Sequence, residues 1–218
     1  MLENHRQALA EGCARLAGGG LVEGTAGNVS VREGDHVAVT PTGADLATLT
    51  ADQVAVVDME GALVAGKLEP TSELFLHLGI YETGGAGAVV HTHGPMATAL
   101  ACVVDELPLV HYSMLAFGGP VRVAPYATFG TPELARGVAE ALDGRCAALM
   151  RNHGSVSFGP DLESALTIAE LLEWNCGVYW RARAIGEPIT LDEAQLSDVA
   201  TAVQERGYGT TKRAGEEE

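Results

Sequence analysis

Ala88-Val89-Val90-His91-Thr92-His93-Gly94-Pro95 is a short apolar run that ends in two histidines and a breaker. Ala88 to Thr92 has the composition of a buried strand. Gly94-Pro95 stops it before a helix over Pro95 to Val103. On a strand, side chains at i and i+2 share a face, so His91 and His93 can reach one ion. A second segment has the same construction: Cys146 to Met150 reads as a buried strand, and Arg151-Asn152-His153-Gly154 follows it. Two strand ends that each bring histidine to one edge make His91, His93 and His153 a candidate metal site. Zinc takes imidazole ligands, and a catalytic zinc keeps one position open for water or substrate. A His-x-His pair alone also occurs in structural and surface roles; the matching context of His153 is what favours a metal.

The rest of the chain supplies the scaffold. Residues 2–17 read as a helix with Leu9, Cys13 and Leu16 on one face and Gly18-Gly19-Gly20 as its stop. Asn28 to Arg32 and His36 to Thr40 are strands joined through Glu33-Gly34-Asp35, and Val54 to Val57 with Ala62 to Val64 repeats the hairpin pattern. Ser72 to Tyr81 reads as a helix, with Leu74, Leu78 and Tyr81 on one face. Val121 to Ala124 is a strand. Thr131-Pro132-Glu133 places an N-cap, a proline at N1 and an acid at the start of a helix running to about Leu142. Val156 to Phe158 reads as a continuation of the strand past Gly154. Helices over Asp161 to Ala184 and Leu191 to Glu205 follow. Strands alternate with helices, but two hairpin signals argue against an all-parallel sheet. The expectation is an α/β fold, a mixed sheet with helices on both faces. It forms one domain over residues 1–210, with a frayed, charged tail over 211–218.

The chain has 218 residues, with 13 Lys+Arg against 29 Asp+Glu and a formal charge of −16. The acid excess argues against nucleic acid and against an anionic membrane surface as partners. It says nothing against a small anionic substrate, because a local site can oppose the global field. No apolar run approaches the ~20 residues of a membrane span. The opening MLENHRQALAEG is charged and lacks the apolar core of a secretory signal. Cys13, Cys102, Cys146 and Cys176 are widely spaced and form no CxxC, so a reducing cytoplasm is expected, with each cysteine read as a small core hydrophobe. Glycine is frequent, at 27 residues, which suggests tight turns and backbone close to a ligand.

Further polar clusters join the histidines. Glu73 follows Thr71-Ser72 at the start of a predicted helix. It can serve as an acid at a helix N-terminus, or as a carboxylate near the metal that ligates it or moves a proton. Thr71 and Ser72 can cap that helix or, with its free N–H groups, hold an anion. Gly24-Thr25-Ala26-Gly27-Asn28-Val29-Ser30 and Thr40-Pro41-Thr42-Gly43 are ordinary loops taken singly. Together with Thr71-Ser72 they can cradle a phosphate with amides and hydroxyls. Nothing matches G-x-x-x-x-G-K-[ST], so a nucleotide P-loop is not expected. His5, His36 and His77 read as surface or packing residues, and so does His111.

The ordered series GTAGNVS (24–30), TPTG (40–43), TSE (71–73), HTH (91–93), HY (111–112), APYATFGT (124–131) and NHG (152–154) resembles the class II aldolase/adducin family over most of the chain. The resemblance implies a three-layer α/β/α fold with a central mixed, largely antiparallel sheet. It also implies a ring-like homotetramer with sites at subunit interfaces. It assigns His91, His93 and His153 to one zinc ion per subunit. Glu73 becomes the acid/base, able to approach the zinc as a fourth ligand. It matches Asn28, Thr42, Gly43, Thr71 and Ser72 to phosphate-binding positions; the family's usual first serine is Thr71 here, which keeps the hydroxyl and adds a methyl. Tyr112 matches a tyrosine supplied by a neighbouring subunit, and Phe129 and Tyr208 match residues on the aldehyde side.

The implied reaction is reversible cleavage of a ketose 1-phosphate, L-fuculose 1-phosphate first, to dihydroxyacetone phosphate and a short aldehyde such as L-lactaldehyde. Zinc would stabilise the enediolate charge as a Lewis acid. Two enzymatic alternatives are an aldolase for 5-deoxyribulose or methylthioribulose 1-phosphate and an L-ribulose-5-phosphate 4-epimerase. A metal-free adducin-like interaction domain is disfavoured by the presence of all three histidines and Glu73.

Overall fold

The computed structural model describes residues 1–207; Tyr208 and the tail 211–218 lie outside them. The strands are β1 (Asn28–Glu33), β2 (His36–Val39), β3 (Ala55–Asp58), β4 (Leu63–Ala65), β5 (Ala88–Thr92), β6 (Glu106–Leu107), β7 (Val121–Ala124), β8 (Ala147–Met150) and β9 (Gly154–Gly159). They form one sheet in the order β4-β3-β2-β1-β5-β9-β8-β7-β6. Only β7 and β8 pair in parallel; the other neighbours are antiparallel. The helices are α1 (Glu3–Gly18), α2 (Leu74–Glu82), α3 (Pro95–Ala101), α4 (Pro132–Ala141), α5 (Leu162–Ile185) and α6 (Glu193–Arg206).

Period-two alternation sorts the strand side chains onto two covered faces. Val37, Val39, Ala55, Val57, Val89, Ala148 and Met150 meet Leu76 and Ile80 of α2 and Leu134 and Val138 of α4. Their neighbours Ala38, Val56, Ala88 and Val90 point the other way, onto Leu9 and Leu16 of α1 and Leu166 of α5. Ala147 and Leu149 also face this second layer, against α3 and the later part of α5. Both faces are covered, which suits the apolar Ala88–Val90 of β5 and the wholly apolar β8, while β1 and β9 also bury Ser30, Ser155 and Ser157. Each fully buried Val or Leu contributes on the order of 1.5–3 kcal/mol.

Three local features depart from the sequence reading. First, the strand through Met150 does not run on past Gly154. The chain reverses at Arg151-Asn152-His153, with Asn152 in the left-handed region at φ 53°, and β9 returns antiparallel to β8. Second, α2 begins at Leu74, with Glu73 as its N-cap residue. The Thr71 N–H donates to Thr40 O, and Pro41 bridges Pro70, so this stretch is tied to an extended neighbour and cannot wind. Third, a 3-10 turn over Tyr112–Phe117 and the two-residue strand β6 carry no periodicity long enough to read. Cys13 and Cys176 are buried as expected, whereas Cys102 is exposed at the end of α3.

The β8–β9 turn passes close to β5. A Cβ on Gly154 would lie 2.4 Å from Thr92 O and 3.1 Å from His93 Cδ2. Backbone cannot yield as a side chain tip does, so Gly154→Ala is expected to destabilise the protein by about 1–3 kcal/mol. A denaturant midpoint equal to wild type would show that the hairpin has room there.

Candidate active site

The start of β1, the end of β5 and the β8–β9 turn meet at one edge of the sheet centre. Asn28 pairs with His91 across β1 and β5, and Thr92 pairs with Ser155 across β5 and β9. Antiparallel register therefore delivers Asn28, His91, His93 and His153 to one place from remote parts of the chain. The His93 N–H donates to Leu21 O, fixing the residue just beyond the strand. From α5, the Glu173 carboxylate accepts the N–H groups of Met96 and Ala97 and so anchors the start of α3 behind it. Arg151 donates to the carbonyls of Ala101 and Val104, which secures the turn that carries His153.

The three imidazoles form a nearly equilateral group, with centroids 4.8, 4.9 and 5.0 Å apart. Their candidate ligand nitrogens all lie within 4.8 Å of one another. His91 is fully buried, and its Nδ1–H donates to Ser155 O at 2.9 Å. That bond turns Nε2 toward the cluster, the arrangement by which a second partner orients a metal-ligating histidine. His93 Nε2 is 3.0 Å from His91 Nε2. Burial and the charges of His91 and His153 push the His93 imidazole down to about 4, against the opposing pull of Glu73. His153 is lowered as well, by burial first and the charge of His91 second. These two rings are thus held neutral near pH 7, the form that binds a metal.

Glu73 is 6% exposed and faces this group from the start of α2. Its Oε2 is 3.1 Å from His91 Nε2, and its Oε1 is 3.5 Å from His153 Nε2. Burial raises the carboxyl, but the hydrogen bond and charge of His91, the Asn28 amide and the charge of His153 outweigh it. The net effect holds Glu73 well below the usual carboxylate range. Oε1 is buried with no hydrogen-bond partner. A buried carboxylate oxygen with no hydrogen bond, beside converging imidazole nitrogens, is a costly arrangement, and a cation among them satisfies it. The donor set therefore fits a metal ion.

A cleft of about 250 Å³ opens beside the group and is lined by Glu73, His93 and His153. Its remaining wall includes Asn28, Thr42, Gly43, Thr71 and Ser72, the residues the sequence grouped for phosphate. Phe129 also lines it and is 64% exposed. No lysine or arginine lines the cleft among the described residues. Tyr112 is not part of it. It stands 41% exposed at the 3-10 turn, its ring 4.4 Å from that of His111, which in turn meets Trp174. Tyr208 lies outside the described residues. The sequence reading also missed His77, which is fully buried beside Asn28.

Fold and site together define a class. A family model described as "Class II Aldolase and Adducin N-terminal domain" matches residues 7–180, and the chain belongs to that family. Within it the chain stands with the aldolases, which are metal-dependent lyases. It is 36% identical over 213 residues to the 5-deoxy-D-ribulose 1-phosphate aldolase of Bacillus thuringiensis serovar kurstaki, covering 96% of this chain and 99% of that one. It is 40% identical over 193 residues to the L-fuculose phosphate aldolase of Escherichia coli K12, covering 88% of this chain and 87% of that one. A solved structure of L-fuculose 1-phosphate aldolase superposes with a TM-score of 0.88 at 36% identity, over 92% of this chain and 96% of that one. Among the described residues no helix is long and apolar enough to cross a membrane.

Proposed function

We propose that the chain is a zinc-dependent aldolase that reversibly cleaves a ketose 1-phosphate, L-fuculose 1-phosphate first, to dihydroxyacetone phosphate and a short aldehyde such as L-lactaldehyde. The observation that carries this reading is the grouping of His91, His93 and His153 beside the buried Glu73 carboxylate, whose Oε1 has no hydrogen-bond partner, at the mouth of a cleft lined with amides and hydroxyls. The three histidines would hold the ion, with Glu73 close enough to serve as a fourth ligand. Bound there, zinc supplies Lewis-acid stabilisation of the negative charge that carbon–carbon cleavage leaves beside the carbonyl.

The protein's own residues do the rest. Asn28, Thr42, Gly43, Thr71 and Ser72 bind the phosphate through neutral donors, so its charge meets no lysine or arginine in the cleft. In the cleavage direction the hydroxyl on the carbon that becomes the aldehyde loses its proton. Tyr112 of a neighbouring subunit takes that role. Glu73 returns a proton to the dihydroxyacetone phosphate carbon, for which its place against the cleft and the histidines suits it. Phe129, with Tyr208, shapes the aldehyde side. A homotetramer with interfacial sites is part of this reading; the exposure of Tyr112 and of Trp174, each packed against His111, supports it. Sedimentation velocity should give four chains, and a monomer would remove Tyr112 from the mechanism.

A 5-deoxyribulose 1-phosphate substrate is the second reading, favoured by the Bacillus thuringiensis relative, which matches over nearly its whole length. The two substrates differ at the aldehyde end by one CHOH carbon, which a pocket that does not hydrogen-bond that hydroxyl separates by only about 10–200-fold. Zinc-supplemented protein offered L-fuculose 1-phosphate, 5-deoxyribulose 1-phosphate and L-ribulose 5-phosphate should release aldehyde from a ketose 1-phosphate. An epimeric pentulose phosphate without free aldehyde would overturn the aldolase assignment in favour of a 4-epimerase. The larger kcat/KM of the two ketose 1-phosphates decides between the readings.

A further inference from the structure

Asn28 is the visible end of a polar line that runs back beneath α2. Its Oδ1 is 2.5 Å from His77 Nε2. His77 Nδ1 is 2.7 Å from Ser30 Oγ, which is 2.7 Å from the Tyr81 hydroxyl. Ser30 and His77 are fully buried and Tyr81 nearly so. The spacing is regular on both elements: Asn28 and Ser30 are i and i+2 on β1, and His77 and Tyr81 are i and i+4 on α2. A buried imidazole and hydroxyl between a helix and a sheet cost stability unless every polar atom is paired. An apolar side chain would fill the same interface without that cost, so packing alone does not account for His77.

The hydrogens of the line can be assigned in one direction. A carboxylate only accepts, so Asn28 turns its Nδ2 to Glu73 Oε2, at 2.9 Å, and its Oδ1 to His77. His77 Nε2–H then donates to Asn28, and Nδ1 accepts the Ser30 hydroxyl. Ser30 Oγ in turn accepts the Tyr81 hydroxyl. A side-chain amide without such a partner can rotate, which would aim its carbonyl oxygen at Glu73 and at an anion in the cleft. We propose that His77 is a positioning residue: it locks the Asn28 amide so that only N–H groups face Glu73 and the phosphate side of the cleft. This rests on the roles given to Asn28 and Glu73 under Proposed function.

Two isosteric variants test it. Glutamine places its amide on the Nε2 side of an imidazole, and asparagine places its amide on the Nδ1 side. H77Q therefore keeps a donor for Asn28, while H77N loses it, and both put an amide in the same buried position. H77N should lower kcat/KM for the cleaved ketose 1-phosphate by on the order of 10–100-fold, with KM raised and bound zinc unchanged. H77Q should recover most of that loss. Equal losses in the two variants would overturn the proposal. Nitrogen-15 NMR of the metal-free wild-type protein should find the His77 ring proton on Nε2; a proton on Nδ1 would overturn it as well. That spectrum needs neither turnover nor a variant that folds. Failure to cleave any of the sugar phosphates would count against the aldolase reading and leave the NMR result to judge the polar line.

Discussion

His93→Ala is expected to lose bound metal and, with it, all measurable aldol cleavage. Removing an outer partner of a metal ligand already costs about 10–100-fold in affinity or activity, and removing one of three protein nitrogens should exceed that. The same geometry predicts an opposite effect on the metal-free protein. There the histidine nitrogens lie within 4.8 Å of one another and Glu73 Oε1 is buried with no hydrogen-bond partner. Taking away His93 removes the approach of its Nε2 to that of His91, 3.0 Å away. Metal-free His93→Ala should therefore unfold at or above the temperature of metal-free wild type. Adding zinc should raise only the wild-type midpoint, by the linkage that gives about 4 kcal/mol at a thousandfold excess over Kd. Elemental analysis of the purified variant and thermal unfolding with zinc or chelator check both halves. Full metal occupancy in the variant would refute the ligand set.

The sequence carried much of this site, and what it withheld is physical. His91 and His93 were legible because strand periodicity puts i and i+2 on one face, a local rule. His153 was legible by composition, as a histidine between an apolar run and a glycine, but its approach to β5 depends on a hairpin. That hairpin needs Asn152 in the left-handed region, and the apolar run through Met150 gave no sign of the reversal. The cover on both faces of the sheet followed from the alternation of strands with helices. The late start of α2 did not, because the backbone hydrogen bond from Thr71 to Thr40 joins segments 31 positions apart and overrides local helix preference. His77 was read as a surface or packing residue. Its signal was present in the i, i+4 relation to Tyr81, on the helix face assigned to the core. Only the pairing of that face with Asn28 and Ser30 turns a buried histidine into a polar connection. Tyr112 marks another boundary: it lies outside the cleft of its own chain, so the role proposed for it requires a neighbouring subunit.

Glu73→Gln is the complementary experiment, expected to keep zinc and lose turnover by about 10²–10⁴-fold, the range that a positioned acid or base supplies. Metal should remain because the three imidazoles are untouched. Proton transfer should fail because glutamine neither accepts nor returns a proton near neutral pH. The amide also changes the hydrogen-bond logic behind it. Asn28 Nδ2 needs an acceptor at the position of Oε2; a glutamine that offers its oxygen there turns its NH2 toward His153 and the ion. KM for the phosphate substrate should therefore move less than kcat, since the hydroxyl and backbone donors of Thr42, Gly43, Thr71 and Ser72 are unaffected. The result separates the two functions the carboxylate is given. Loss of zinc together with activity would make Glu73 a ligand before anything else. Retained zinc with near-normal kcat would sink its assignment as the acid/base and move the proton to another group in the cleft. Retained zinc with kcat lowered a hundredfold or more leaves proton transfer as its main contribution.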